Sequence, residues 1–203
     1  LPREMINLDI DTDVLIVGGG IMGCSVAYYL ARGGVETVLI DRLDLNTQAS
    51  GANAGNLHSQ IPHAFFTGEE EEYGDGRADL RAEMGRMRPL LLAAIEEWKD
   101  LARTMARDFG IDLEVAITGG LMVAETEAQM RVLEEKVIFE RQFGLEAEII
   151  KGNALRAFAP YIAEHMIGAE YCPSEGTANP LTAASALARG AEAAGARIFR
   201  HTT

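Results

Sequence analysis

Apolar and polar positions along this chain follow two periods in turn. Val14-Leu15-Ile16-Val17 is a short apolar run that reads as a strand. From Ile21 onward the spacing turns helical, with Ile21, Val26, Ala27, Leu30 and Ala31 as the expected apolar stripe and Gly33-Gly34 as the stop. Residues 35–40 read as a second, buried strand closed by Asp41, so residues 14–41 predict one β-α-β unit. Residues 42–66 are small and polar and read as a loop. Residues 69–76, with four consecutive glutamates, read as a solvated surface loop.

Further along, residues 90–109 predict a long helix, with Pro89 at its start and Gly110 at its end. Its inner face would be Leu91, Ala94, Ile95, Trp98, Leu101, Ala102 and Met105. Residues 113–117 and 121–124 read as a hairpin turned by Thr118-Gly119-Gly120. A helix over 127–143 with Thr126 as N-cap follows. Then come a strand at 147–150, a short helix at 153–158, a strand at 166–171 and a turn at 175–180. An alanine-rich helix at 182–194 and a strand at 196–200 close the chain.

The order is β-α-β, then helices among antiparallel-looking strands, then a closing α-β step. It predicts an α/β dinucleotide-type domain interrupted by an α+β insertion: residues 1–110 and 179–203 in the first, 111–178 in the second. A chain of 203 residues can bury one substantial core or two small ones.

Charge narrows the partners. Eighteen Lys and Arg face 31 Asp and Glu, a net −13, which argues against nucleic acid and against an anionic membrane surface. The two cysteines, Cys24 and Cys172, form no CxxC, so neither a structural zinc nor a redox dithiol is indicated. The lack of a disulfide framework fits a reducing, cytoplasmic setting. The first apolar run follows Asp9, Asp11 and Asp13, the wrong charge for a secretory signal. It is also too short and glycine-interrupted to span a bilayer. Four histidines (His58, His63, His165 and His201) show no metal-ligand spacing.

The chemistry begins at Gly18-Gly19-Gly20-Ile21-Met22-Gly23, a GxGxxG between strand and helix. Gly18 permits the turn, Gly20 lets backbone approach a pyrophosphate, and Gly23 lets the helix pack near the strand. The first helical amides and the helix dipole favour an anion there, with Ile21 and Met22 alongside it. Asp41, about 20 residues past the glycines, is the expected acceptor for adenosine ribose hydroxyls. Cys24 sits at the same helix N-terminus. It reads either as a thiol of lowered pKa or as a small packing residue under the cofactor.

A second segment, Ala49-Ser50-Gly51-Ala52-Asn53-Ala54-Gly55-Asn56-Leu57-His58, is small and polar. It lets a planar ring or a phosphate lie against backbone, with Ser50, Asn53 and Asn56 able to hydrogen-bond polar edges. A simple nicotinamide domain has no need of it; a flavin does.

With these two segments the sequence resembles the FAD-dependent amino-acid oxidase and dehydrogenase family. That family includes D-amino-acid dehydrogenase, glycine and sarcosine oxidases, and the flavin subunit of opine oxidase. A third segment supports the resemblance: Gly168-Ala169-Glu170-Tyr171, Pro173, Gly176 and Asn179-Pro180, then an alanine-rich helix and Gly195-Ala196. Gly119-Gly120-Leu121 also fits.

The resemblance implies a Rossmann-like FAD-binding domain interrupted by a substrate domain. Gly18, Gly20 and Gly23 would meet the FAD pyrophosphate, and Asp41 and Arg42 the adenosine ribose. Ser50, Asn53, Ala54, Gly55, Asn56 and Leu57 would line the pyrophosphate and the flavin, with Ala49 beside them. Family members more often carry Glu where Asp41 stands. The implied reaction is oxidation of the C–N bond of an amino acid or secondary amine, with hydride passing to flavin N5. His58 is a candidate for a role near the ring. The chain resembles the front half of the fold, which places the other catalytic residues beyond Thr203 and leaves room for other subunits. Two alternatives stand beside this reading: an NAD(P)-dependent dehydrogenase, and a non-catalytic or truncated subunit using the fold for assembly.

Overall fold

The computed structural model describes residues 10–67 and 77–203; the expected solvated loop at 69–76 lies outside them. Packing divides the chain into two compact units. The first comprises residues 1–54, 104–113 and 179–203, and the second residues 55–103 and 114–178. Residues 55–103, which the sequence reading placed with the dinucleotide domain, therefore pack with the second unit.

In the first unit, β1 (Val14–Val17), β2 (Thr37–Ile40) and β8 (Arg197–Phe199) form a parallel sheet in the order β1-β2-β8. Val14 pairs with Thr37 and Val38 with Arg197. Between β1 and β2 runs α1 (Ile21–Arg32), and α6 (Pro180–Ala193) precedes β8. The two helices pack on each other through small side chains. Cys24, Ala27, Tyr28 and Ala31 are buried on α1, and Ala183, Ala184, Leu187, Ala188 and Ala191 on α6.

The α1 stripe is shifted from the expected one. Val26 is exposed and Ile21 and Leu30 are half-buried. Two residues of a helix span about 200°, so once Cys24 faces the core Val26 points away. Central β2 is buried, whereas edge strand β1 leaves Leu15 and Val17 exposed. Asn179 caps α6, accepting the Leu181 amide at 2.9 Å, with Pro180 in the first turn.

In the second unit, β4 (Gly120–Ala124), β5 (Glu148–Lys151) and β6 (Gly168–Cys172) form an antiparallel sheet with β6 in the centre. The β4 register runs from Gly120–Cys172 to Ala124–Gly168. Helix α4 (Glu127–Arg141) buries Met130, Leu133 and Val137 with Ala124, Leu145, Ala147 and Cys172. Helix α5 (Gly152–Phe158) packs Leu155 on Ala169, with Ala159, and Phe158 meets the Tyr171 ring edge-on at 4.7 Å. Alternate β6 residues thus serve different cores, as a pleat of period two requires. A two-residue ladder joins β3 (Asn56–Leu57) to β7 (Gly176–Thr177). Thr126 forms the expected cap as a full capping box with Gln129.

Three expectations change here. The stretch 42–66 is not all loop: it holds a 3-10 turn (Ala49–Gly51), β3, and the one-turn helix α2 (Ala64–Thr67). The long helix α3 spans Arg77–Phe109, so Pro89 lies inside it rather than at its start. Before Pro89 the inward face runs through Met84, Gly85 and Arg88, which leave little apolar period in the sequence, while Leu80 and Met87 are exposed. There is also no hairpin at 113–124. Glu114 has a positive φ of 51°, Ala116 makes only an isolated bridge to Thr177, and β4 pairs with β6 instead.

Candidate functional site

The glycine turn is built from what it lacks. Gly18 leaves β1 with φ of 111°, a conformation side chains disfavour, and its amide donates to the Ile40 carbonyl at 2.8 Å. A Cβ on Gly23 would lie 1.9 Å from the Gly18 carbonyl oxygen, so only glycine lets α1 begin this close to the turn. A Cβ on Gly20 would lie 2.9 Å from Ser50 Oγ. The Gly20 carbonyl accepts the Cys24 amide at 3.0 Å, so the amides before Cys24 open the helix without the usual carbonyls behind them.

Two further amides of the turn take side-chain partners. Gly19 N–H donates to Asp41 Oδ2 at 2.6 Å, and Ile21 N–H to Ser50 Oγ at 3.0 Å. Asp41 Oδ1 accepts the Leu43 amide at 2.7 Å. These bonds, from Leu43 and then Gly19, hold the Asp41 carboxyl below its usual range, aided by Arg42 and His201. Each carboxylate oxygen keeps a further lone pair for a ligand. Asn46 N–H closes the ring on the Gly19 carbonyl at 3.0 Å.

Gly18, Gly20, Ile21, Gly23, Asp41 and Ser50 are thus gathered in one place. Met22, Arg42 and Ala49 are exposed beside them in sequence. Asn53 turns back on its own loop, its Nδ2 donating to the carbonyls of Ser50 at 2.7 Å and Ala49 at 3.0 Å. Ala54 is exposed and closes the first unit's segment. Cys24 is buried, and its thiol is pushed up to about 11, chiefly by burial and then by the charge of Asp41. It is a packing residue, and the lowered-pKa reading is overturned.

A pyrophosphate fits this cradle. The glycines let α1 start against the turn and Ser50 approach it without clash, and helix amides and dipole supply the positive end. Asp41 stays ionised as an acceptor. With its parallel β-α-β sheet, the first unit is that of a dinucleotide-binding α/β protein.

The chain belongs to the FAD dependent oxidoreductase family, whose model matches residues 13–203. It is 29% identical over 199 residues to the gamma-glutamylputrescine oxidoreductase of Escherichia coli K12, covering 98% of this chain and 43% of that protein. It is 28% identical to the glycine oxidase of Geobacillus kaustophilus, covering 94% and 46%. A crystal structure of glycine oxidase from Geobacillus kaustophilus superposes with a TM-score of 0.79 at 27% identity, over 95% of this chain and 47% of that one. The chain therefore spans less than half the length of these relatives. The family is FAD-dependent, which sets the nicotinamide alternative aside.

In the second unit Gly55, Asn56, Leu57 and His58 enter through β3. His58 Nδ1 lies 3.4 Å from Glu175 Oε2, its ring otherwise mostly exposed. Glu175, almost fully buried, also accepts the amides of Ser59 at 2.7 Å and Gln60 at 2.8 Å on Oε1, and Gln60 Nε2 at 2.9 Å on Oε2. Gly119-Gly120 serve this residue rather than a hairpin: a Cβ on Gly120 would lie 2.1 Å from Glu175 Oε2.

Behind it sits a buried charge cluster that the sequence reading missed. Lys136 Nζ reaches Glu170 Oε2 at 2.8 Å, Glu140 Oε1 at 3.0 Å and Gln60 Oε1 at 3.2 Å. Arg88 Nη2 lies 3.3 Å from Glu140 Oε1, which also accepts the Ile61 amide. Burial raises Glu170 to about 8, with Glu140 beside it adding to the rise and Lys136 opposing. The available signals were Glu170 inside a strand of otherwise small or apolar residues, and Lys136 and Glu140 one turn apart on the apolar face of α4. Among the described residues no cluster of metal-ligating side chains occurs, and no helix is long and apolar enough to cross a membrane.

Proposed function

We propose that this chain is the cofactor-docking part of an FAD-dependent enzyme that oxidises the C–N bond of an amino acid or secondary amine. The observation that carries it is the glycine cradle at α1, with Asp41 and Ser50 already tied to its amides. The named relatives act in the same direction: a gamma-glutamylputrescine oxidoreductase and glycine oxidases share its sequence over nearly its whole length. In this reading Gly18, Gly20 and Gly23 hold the pyrophosphate against backbone, with Ile21 and Met22 at the helix start. Asp41, with Arg42, takes the adenosine ribose. Ala49, Ser50, Asn53, Ala54, Gly55, Asn56 and Leu57 line the cofactor, and His58 lies near the flavin ring.

Bound there, FAD supplies a two-electron acceptor for the carbon that carries the amine. The chain's own task is to fix that cofactor and exclude water from it. Asp41 works as an ionised acceptor and Ser50 as the brace of the Ile21 amide.

The test is anaerobic bleaching of the flavin in the intact protein. Amino acids, N-methyl amino acids and acylated diamines form one panel, and glycerol 3-phosphate is the contrasting alcohol. Bleaching by an amine supports the reading. Bleaching by glycerol 3-phosphate alone moves the chemistry to C–O oxidation, the class named by a glycerol-3-phosphate dehydrogenase subunit of Haloferax volcanii that is 29% identical over 189 residues. A protein that takes up FAD and is bleached by nothing favours the non-catalytic subunit.

A further inference from the structure

We propose that Glu175 and Glu140 are positioning residues for the segment that leads away from the cofactor-lining loop, with Lys136 as the hub that holds both in place. Three consecutive amides, those of Ser59, Gln60 and Ile61, belong to no helix or ladder. Buried amides need acceptors. Here all three are taken by side-chain carboxylates from two separate elements: Glu175 before β7 takes the first two, and Glu140 on α4 takes the third.

Both carboxylates are buried, and burying an ion carries a desolvation penalty of several kcal/mol. A turn residue such as Asn or Ser would hold a surface loop without that penalty. The arrangement instead spends two counter-cations, Lys136 and Arg88, both fully buried. Lys136 touches Glu140, Glu170 and the Gln60 side chain, and Gln60 in turn donates to Glu175. The cross-strand neighbours of Glu170 are Met122 and Ile149, which bring no charge, so Lys136 is the cation facing it.

What this clamp fixes is the exit direction of Asn56-Leu57-His58. Glu175 holds the amides of the two residues after His58 and faces the His58 ring itself. The inference rests on the reading that Asn56 to His58 lie along the flavin. If they do, the buried cluster sets the cofactor's surroundings without touching it.

Amide hydrogen exchange on the intact protein, with FAD titration of the same samples, tests this. In Glu175→Ala, exchange at Ser59 and Gln60 accelerates at least tenfold while Leu133 on α4 keeps its wild-type rate. In Glu140→Ala the acceleration falls on Ile61. The FAD dissociation constant of Glu175→Ala rises at least tenfold, and the flavin absorption band shifts. Should Glu175→Ala fail to fold, Glu175→Gln keeps one acceptor oxygen. It is expected to protect the two amides while losing the Gln60 and His58 contacts, with the same band shift. Unchanged exchange in a folded Glu175→Ala overturns the clamp. Opened amides with wild-type FAD affinity and spectrum overturn the positioning role. A wild-type protein that takes up no FAD overturns the functional reading, and with it the positioning role; the exchange arm still decides the clamp.

Discussion

The two units hold their polar chemistry by opposite means. In the first, the glycine turn works through missing side chains: backbone approaches backbone, and the partners of its amides, Asp41 and Ser50, are partly open to solvent. In the second, Glu175 and Glu140 hold backbone amides from within a buried cluster that Arg88, Lys136 and Glu170 complete. The first arrangement tolerates almost no added volume, and its one titrating partner, Asp41, stays ionised until the pH falls below the usual carboxylate range. The second is sensitive to any unbalanced charge and therefore to pH.

The sharpest way to break the comparison is to unbalance the cluster. At pH 9, where Glu170 is ionised, Lys136→Met leaves Glu170 buried without its cation while Glu140 keeps Arg88, and is expected to destabilise by about 3–5 kcal/mol in urea unfolding. Pairing it with Glu170→Leu restores much of that loss, because removing both charges removes the uncompensated ion. No recovery in the double variant breaks the argument that charge, and not shape, is at stake.

Adding volume to the first unit comes next. Gly23→Ala sets a Cβ 1.9 Å from the Gly18 carbonyl oxygen. Overpacking of this kind costs about 1–3 kcal/mol. Flavin retention on a desalting column is expected to be lost even where a melting transition survives.

The pH response separates the units further. Glu170 stands near 8 in the folded chain against an ordinary 4.5, so the folded state keeps a proton that the unfolded state releases. Its contribution to stability is full below about 4.5, shrinks as pH rises, and is gone above about 8. The urea midpoint is expected to fall between pH 5 and pH 9, with a shallower fall in Glu170→Gln. An equal fall in both would show that other groups set the slope.

The smallest effects come from two caps. Ser50→Ala frees the Ile21 amide and Thr126→Ala breaks the capping box on α4, each at about 1 kcal/mol. Thermal melts should move alike. Only Ser50→Ala is expected to weaken FAD binding in a titration, since only that cap borders the cradle.

The same contrast explains what could be read without the structure. Gly18, Gly20 and Gly23 were legible as a strand-to-helix turn, because a turn this tight needs glycine, and Asp41 as the acid that closes a strand; the bonds of Asp41 to the Gly19 amide and of Ser50 to the Ile21 amide came from the structure. Thr126 and Asn179 were legible for similar reasons, as a helix N-cap and a turn residue. Glu140, Glu170 and Glu175 were not. A glutamate in a sequence reads as a solvated residue, and its burial depends on a lysine 34 positions from Glu170 and on a loop 115 positions from Glu175. Pro89 and Gly119-Gly120 misled for the converse reason: their usual local meanings, helix start and hairpin turn, were overridden by packing around them.

By itself, then, the sequence determined the β-α-β unit, its glycine turn and the family to which the chain belongs. These rest on short-range steric and dipolar constraints that few residue types satisfy. Only the tertiary structure decided which helix face is buried, which strand pairs with β4, and that Lys136 gathers Glu140 and Glu170. Those depend on long-range contacts, where the meaning of a charge is set by the dielectric around it and not by its neighbours in the chain.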